Sequence, residues 1–178
     1  MNLQDLYAIS PQICMIVLGM LLILFDLFFA QKILLRPLVF IGLLGIFLLN
    51  VFLWVNIDSN KSIDAFSNSL VLDEFGLFFN CFFIGVVFFI IFISQDYIKS
   101  SKAKSEYYSL IIFSATGMML LTSSMELISF YIALELTTLP IVALVAFNRD
   151  IKSSEAGVKF LILSGISSAL LLYAMVIL

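Results

Sequence analysis

Glu135 lies inside an apolar run from Leu127 to Phe147 that is broken only by small hydroxyl residues and Pro140. A bilayer core takes about 20 helical residues, so a run of this length reads as a membrane span. A carboxylate near the middle of such a span costs at least about 3 kcal/mol on insertion scales. It is kept there where it faces protein or water and takes part in moving something. The chemistry it offers is proton exchange, with an affinity set by a cation that can approach or withdraw. The bland alternative is a neutral carboxyl hydrogen-bonded to a neighbouring helix. The functional reading is preferred because intramembrane acids are functional by default. Pro140, five residues on, frees the carbonyl of Leu136 from its usual bond, and a local kink there would admit water. Thr137 and Thr138 would equally satisfy freed backbone, so the proline is the weaker argument.

Lys159 is the other ionisable group within an apolar segment. It follows Glu155 by four residues, a favourable spacing for an ion pair on one helix face. On one reading Lys159 simply snorkels to the interface and pairs there. Against that, Ser164, Gly165, Ser168 and Ala169 form a small-residue stripe suited to close helix packing, and a lysine beside it would point inward. Measured from the basic side, Glu135 lies about 18 Å along its helix and Lys159 about 7 Å, at 1.5 Å per residue. A direct bridge between them is not expected. Glu135 needs another cation, and no other residue of the chain sits at a suitable depth. Glu126, at the turn before this span, reads as a solvated charge near a helix N-terminus, where acids are welcome.

The elements that must position these groups are membrane helices. Hydrophobic residues make up 63% of the 178 residues and charged ones 12%, proportions no soluble core of this size needs. Six spans are expected, at 12–30, 33–56, 75–94, 107–125, 127–147 and 156–178. All should be helices, because open sheets cannot satisfy their backbone in lipid. The fold class is thus an all-α polytopic membrane protein with about six transmembrane helices. Asp26 closes the first span, at the interface or facing other helices, and Pro37 falls in the first turn of the second. Thr122 to Glu126 is so short that the fourth and fifth spans must form an antiparallel hairpin.

Basic residues set the orientation. Lys32, Arg36, Lys99, Lys102, Lys104, Arg149 and Lys152 fall in loops that share one side, against Lys61 alone on the other. Lys61 is moreover set among Asp58, Asp64, Asp73 and Glu74. Seven against one places the first set in the cytoplasm, or in the matrix of a mitochondrion. The N-terminus lacks the basic n-region of a signal peptide and the early arginines of a mitochondrial presequence, so the first span should be retained. Asn60-Lys61-Ser62 matches a glycosylation acceptor but carries little weight. Cys14 and Cys81 fit no metal or redox spacing, and the absence of His excludes imidazole ligation. No glycine-rich phosphate loop occurs. No cofactor, bound metal or nucleic-acid partner is expected for this chain; membrane lipid is.

Two blocks of sequence carry a resemblance. Glu126-Leu127-Ile128-Ser129 with Leu134-Glu135-Leu136-Thr137-Thr138-Leu139-Pro140 resembles the region of the fourth and fifth helices of NADH dehydrogenase subunit 2. Glu155-Ala156-Gly157-Val158-Lys159-Phe160, continuing through Gly165 to Tyr173, resembles the sixth-helix region of the same family. The blocks occur in the family's order and spacing, whereas residues 1–100 agree mainly in span pattern. This subunit is one of the antiporter-like membrane subunits of respiratory complex I. The resemblance implies that Glu135 and Lys159 belong to a proton path. It implies a division into peripheral helices over 1–106 and the start of the first antiporter-like repeat over 107–178. The glutamate's usual partner in the family is a lysine on a broken seventh helix that this sequence lacks. The resemblance therefore suggests a split subunit, the N-terminal part of an antiporter-like helix bundle. Its partners would be other complex I membrane-arm subunits and a second polypeptide supplying the seventh helix onward. It would lie in a mitochondrial inner membrane or, alternatively, a bacterial one. The competing readings are part of a cation/proton antiporter and a structural scaffold with vestigial charges.

The basic asymmetry generates a first test. Single cysteines placed at Ser62 and Ser101 should be labelled by impermeant reagents from opposite faces of the membrane; labelling from one face would overturn the six-span topology.

Overall fold

In the computed structural model, residues 3–28, 35–57, 63–66, 69–98 and 103–177 are described. A short helix α1 (Leu3–Ala8) precedes two long ones, α2 (Ser10–Phe28) and α3 (Leu35–Asn56). A small hairpin follows, β1 (Ile63–Ala65) and β2 (Leu70–Leu72). Then come α4 (Glu74–Ile93), the four-residue α5 (Gln95–Ile98), α6 (Lys104–Ser123), α7 (Leu127–Val145) and α8 (Ile151–Ile177). Six long helices therefore stand at the six expected spans. The last begins five residues earlier than expected. Its charged first turns were read from sequence as loop, yet a helix can extend beyond the apolar layer. Asp150 and Ser153 fix that start reciprocally. The Asp150 carboxylate accepts from the Ser153 backbone N–H at 2.7 Å, and the Asp150 N–H donates to the Ser153 hydroxyl at 3.2 Å.

Five of the six long helices are long and apolar enough to cross a membrane by themselves; α6 is the exception. Its position explains this. α6 is the inner helix, packed against α2, α4 and α7, while α8 packs on α7. Eleven residues of α6 are buried, against two of α7 and one of α8. A helix shielded by its neighbours need not be lipid-like. Four of its hydroxyls are absorbed by its own backbone: Ser109 donates to the Glu106 carbonyl, Thr116 to Ile112, Thr122 and Ser123 to Met119.

Gly117 marks a close helix approach. A Cβ there would lie 2.5 Å from the Thr137 Oγ1 and 2.6 Å from its backbone nitrogen, so α6 and α7 meet nearly backbone to backbone. Beside it the Ser114 hydroxyl donates to the Thr137 carbonyl at 3.1 Å. Side-chain amides join other helix pairs. The Asn50 amide donates to the Leu77 carbonyl and to the Cys81 sulfur, each at 3.0 Å, linking α3 to α4. Gln12 donates to the Ser123 hydroxyl at 3.3 Å, linking α2 to α6. Around these lies a core that includes Met15, Leu22, Leu43, Ile84, Ile112 and Met119.

Contacts between helix ends establish which loops lie together. At one end, Ser105 donates to the Asp26 carboxylate at 2.7 Å, so Asp26 faces α6. Arg149 there lies 3.7 Å from Glu106, and Asn148 donates to the Tyr97 hydroxyl at 2.7 Å. The ends of α2, α5 and α7 and the start of α6 are thus neighbours, as the basic loops require. Lys32, Lys99 and Lys102 lie outside the described residues. At the opposite end β1 and β2 pair antiparallel, with Ile63 opposite Leu72 and Ala65 opposite Leu70. Leu70 also bridges to Ser124, and the Met125 N–H donates to the Ser69 carbonyl. The hairpin, which span-length reasoning does not detect, is thereby pinned to the α6–α7 turn. Lys61, Asp58 and Asn60 lie outside the described residues. Beneath it Ala8, Leu53, Ala65, Leu72 and Leu77 form a second small core, and the Asp73 carboxylate caps α4 by accepting from the Gly76 N–H.

Two tests follow from these contacts. Gly117→Ala should destabilise the subunit by about 1–3 kcal/mol, because the added methyl meets backbone that cannot rotate away; a thermal unfolding midpoint equal to wild type would contradict the close approach. For the α8 cap, hydrogen bonds from the Ser153 side chain and backbone hold the Asp150 carboxyl below the usual carboxylate range. Folded-state affinity for the proton is lowered, so the cap's contribution is complete above the ordinary carboxylate range and is lost as pH falls through and below it. Amide exchange at Ser153 and Ser154 should accelerate on acidification beyond the intrinsic pH effect, and should show no such pH step in Asp150→Asn.

Candidate functional site

Glu135 stands at the midpoint of α7, half-buried, on the face turned to α8. That orientation follows from helix geometry. Thr137 is held against α6 at Gly117, and a residue two positions away points roughly 200° around the helix. The carboxylate lines a cleft of about 140 Å³ between the two helices. Five of its other lining side chains carry hydroxyls: Tyr131, Thr138, Ser164, Ser167 and Ser168. Hydroxyls thus enter the lining of a cleft that is otherwise mostly apolar. Ser164 donates to the Leu161 carbonyl, Ser168 to Gly165 and Thr138 to Glu135's own carbonyl. With those protons committed to backbone, the oxygen lone pairs remain to accept from a protonated carboxyl or from water. Thr137 donates to Ala133, so neither threonine serves the Leu136 carbonyl that Pro140 leaves free.

Lys159 is not brought to this cleft. Its Nζ lies 2.6 Å from the Glu155 Oε1, and the two side chains are 70% and 60% exposed. This is the i,i+4 pair that the spacing predicts. Gly157 packs against Ala146 and Ser168 lies beside Glu135, which fixes the antiparallel register. Lys159 then sits nine residues from the level of Glu135, about 13 Å along α8. Among the described residues no cation pairs with Glu135.

The small-residue stripe needs correction. Ser164 and Ser168 face α7, but Gly165 and Ala169 are exposed, and a Cβ on Gly165 would meet nothing within 4 Å. Adjacent residues point about 100° apart on a helix, so the four positions divide between two faces. The tight contact of α8 is instead at Gly157, whose added Cβ would lie 2.7 Å from the Ala146 methyl.

Glu126 is exposed at the N-cap position of α7. It stands at the mouth of a wider cleft of about 700 Å³, walled by Leu127, Ile128, Leu172, Met175 and Val176. Tyr131 lines both clefts, so the α7–α8 seam runs from Glu126 past Tyr131 to Glu135. Sequence reasoning gave Tyr131 and Ser167 no role. The available pointer was Tyr131's position one turn before Glu135. Among the described residues no group of acidic, Cys or His side chains has a metal-binding arrangement.

Antiparallel helices carrying one mid-span acid in a hydroxyl-lined seam define a polytopic membrane protein with a polar site inside the bilayer. Residues 124–178 match the family described as NADH:quinone oxidoreductase/Mrp antiporter, transmembrane. The chain is 35% identical over 175 residues to NADH-quinone oxidoreductase subunit N of Trichlorobacter lovleyi, covering 96% of this chain and 35% of that relative. Identity to subunit N of Dehalococcoides mccartyi is 34% over 175 residues, covering 98% and 35%. A chain of respiratory complex I from Thermus thermophilus with bound Aureothin shares the fold, with a TM-score of 0.71 at 21% identity over 92% of this chain and 35% of that one. The chain belongs to the antiporter-like membrane subunits of complex I, and it spans about a third of the length of these relatives.

Proposed function

We propose that this chain contributes part of a proton half-channel to the membrane arm of a proton-translocating NADH:quinone oxidoreductase, with Glu135 as the proton-exchanging group. The observation that supports this reading is the Glu135 carboxyl at mid-span in a cleft whose hydroxyl oxygens can accept a hydrogen bond from its protonated form. The chain holds no cofactor of its own in this reading; redox chemistry belongs to other subunits. Lys159 serves the same path from the basic side, paired with Glu155 when at rest.

The partners are other complex I membrane-arm subunits and further helices that continue the bundle. The outward face of α8 supports this, since Leu163, Ile166, Leu170 and Tyr173 are exposed on it. We place a lysine of those helices opposite Glu135 at mid-membrane depth, because an unpaired buried charge is costly. The protein resides in an inner membrane. The named relatives are bacterial, which favours a bacterial inner membrane over the mitochondrial one that the split-subunit argument suggests.

A cation/proton antiporter is the second reading, since the matched family description includes antiporters. Co-purification with flavin and iron–sulfur subunits separates the two. Within complex I, Glu135→Gln should lower the proton-to-electron stoichiometry severalfold while assembly stays near normal, because the amide keeps volume and hydrogen bonding but loses the titratable proton. Lys159→Met should have the smaller effect. Unchanged stoichiometry in Glu135→Gln would leave the carboxylate structural and the subunit a scaffold.

A further inference from the structure

We infer that the groove between α4 and α7 is a binding site for one acyl chain of a glycerophospholipid whose phosphate is held by Arg149. This site is separate from the Glu135 seam and does not depend on the proton path. The groove has a volume of about 420 Å³ and lies over α6, with Phe83 and Ile90 on one wall, Leu144 on the other and Ala115 on the floor. It extends along α6 from Tyr107 to Met118.

A groove of this volume has room for a single hydrocarbon chain. Its lining selects the chemistry. The walls are apolar, and the one hydroxyl on the floor, Ser114, is already donated to the Thr137 carbonyl. Nothing in the groove rewards a polar ligand. The floor, however, belongs to α6, the one long helix not apolar enough to cross a membrane by itself. A chain seated between α4 and α7 completes its covering.

The mouth is built for a headgroup. Tyr97 and Tyr107 stand at the groove's basic end, as tyrosines do at membrane interfaces. Tyr97 is fixed there by the hydrogen bond from Asn148. The next residue, Arg149, is 82% exposed, with its guanidinium 3.7 Å from Glu106. The pair is open to solvent, so the guanidinium N–H groups not turned to Glu106 can form charge-assisted bonds with a phosphate. Arg149 adopts a left-handed backbone conformation, φ 55°, at the turn between α7 and α8.

The test uses the intact subunit within its membrane complex, reconstituted in phosphatidylethanolamine vesicles containing the same lipid with a diazirine at one acyl terminus. After illumination, adducts are mapped by peptide mass, with lipid-exposed Phe89 as the internal reference. Labelling should concentrate at Met118 and Phe83 relative to Phe89. Val86→Trp, which fills the groove from the α4 wall, should reduce that ratio severalfold; if this variant fails to assemble, Val145→Trp fills it from the α7 wall. Arg149→Ala should raise the lipid concentration needed for half-labelling about tenfold, the loss expected for a hydrogen-bonded charge. Even labelling around the belt, or a ratio unchanged by the filling variant, would overturn the site. So would cross-linking of Met118→Cys to a helix of a neighbouring subunit, which would make the groove a protein interface.

Discussion

The backbone contact at Gly117 governs the arrangement of the half of the bundle that carries the acid. With no side chain at that position, α6 and α7 approach until the glycine nearly touches the Thr137 nitrogen. That contact fixes the rotation of α7 about its own axis. Thr137 and the Ser114 hydrogen bond face inward, and Glu135 is turned to the opposite side, toward α8. A wider separation would leave α7 free to rotate, and a rotation of one residue would carry the carboxylate out of its seam and into lipid. The costly group is held in place by a residue that itself has no chemistry.

Many polar side chains of this bundle are satisfied nearby, although both amide atoms of the buried Asn80 have no partner among the described residues. Thr116 and Ser123 on α6 and Ser164 and Ser168 on α8 donate to carbonyls of their own helices, whereas Ser114, Gln12 and Asn50 donate across helix pairs. Donors satisfied in this way do not need water, so they can lie within the bilayer. Their oxygens still offer lone pairs. Where several such oxygens converge, as around Glu135, they set acceptors into an otherwise apolar surface without any charge but the acid's own. The two ionisable groups singled out at the start therefore occupy different settings. Glu135 is set in this surface, and Lys159 stays with Glu155 at the level of the basic loops.

Much of this was legible in the sequence. Apolar runs located the long helices, because lipid imposes length and composition directly. The grouping of loops followed from lysine and arginine positions, and the contacts of Asp26, Glu106 and Arg149 agree with it. The Glu155–Lys159 pair followed from spacing alone. What escaped depends on neighbours. Nothing local marks Lys104–Ser123 as the inner helix; its Ser and Thr content becomes intelligible only once three helices surround it. Gly117 looks no different in sequence from Gly85, yet a Cβ on Gly85 would meet nothing within 4 Å. The stripe at Ser164, Gly165, Ser168 and Ala169 was misread as one surface because small size was weighed ahead of angular position. The hairpin has strands of three residues, too short for alternation to show.

That hairpin also sets an order of assembly. Its second strand is flanked by β1 and by Ser124, a residue 54 positions later in the chain than Leu70. During synthesis the first three long helices can enter the membrane and the two strands can meet, but one side of β2 stays open until the fourth long helix has been threaded across. Closure of this cap therefore reports that α6 has arrived in its place among α2 and α4. A chain stalled before that point would present an unpaired strand edge on the membrane surface, the kind of feature that recruits chaperones or invites association with the wrong partner.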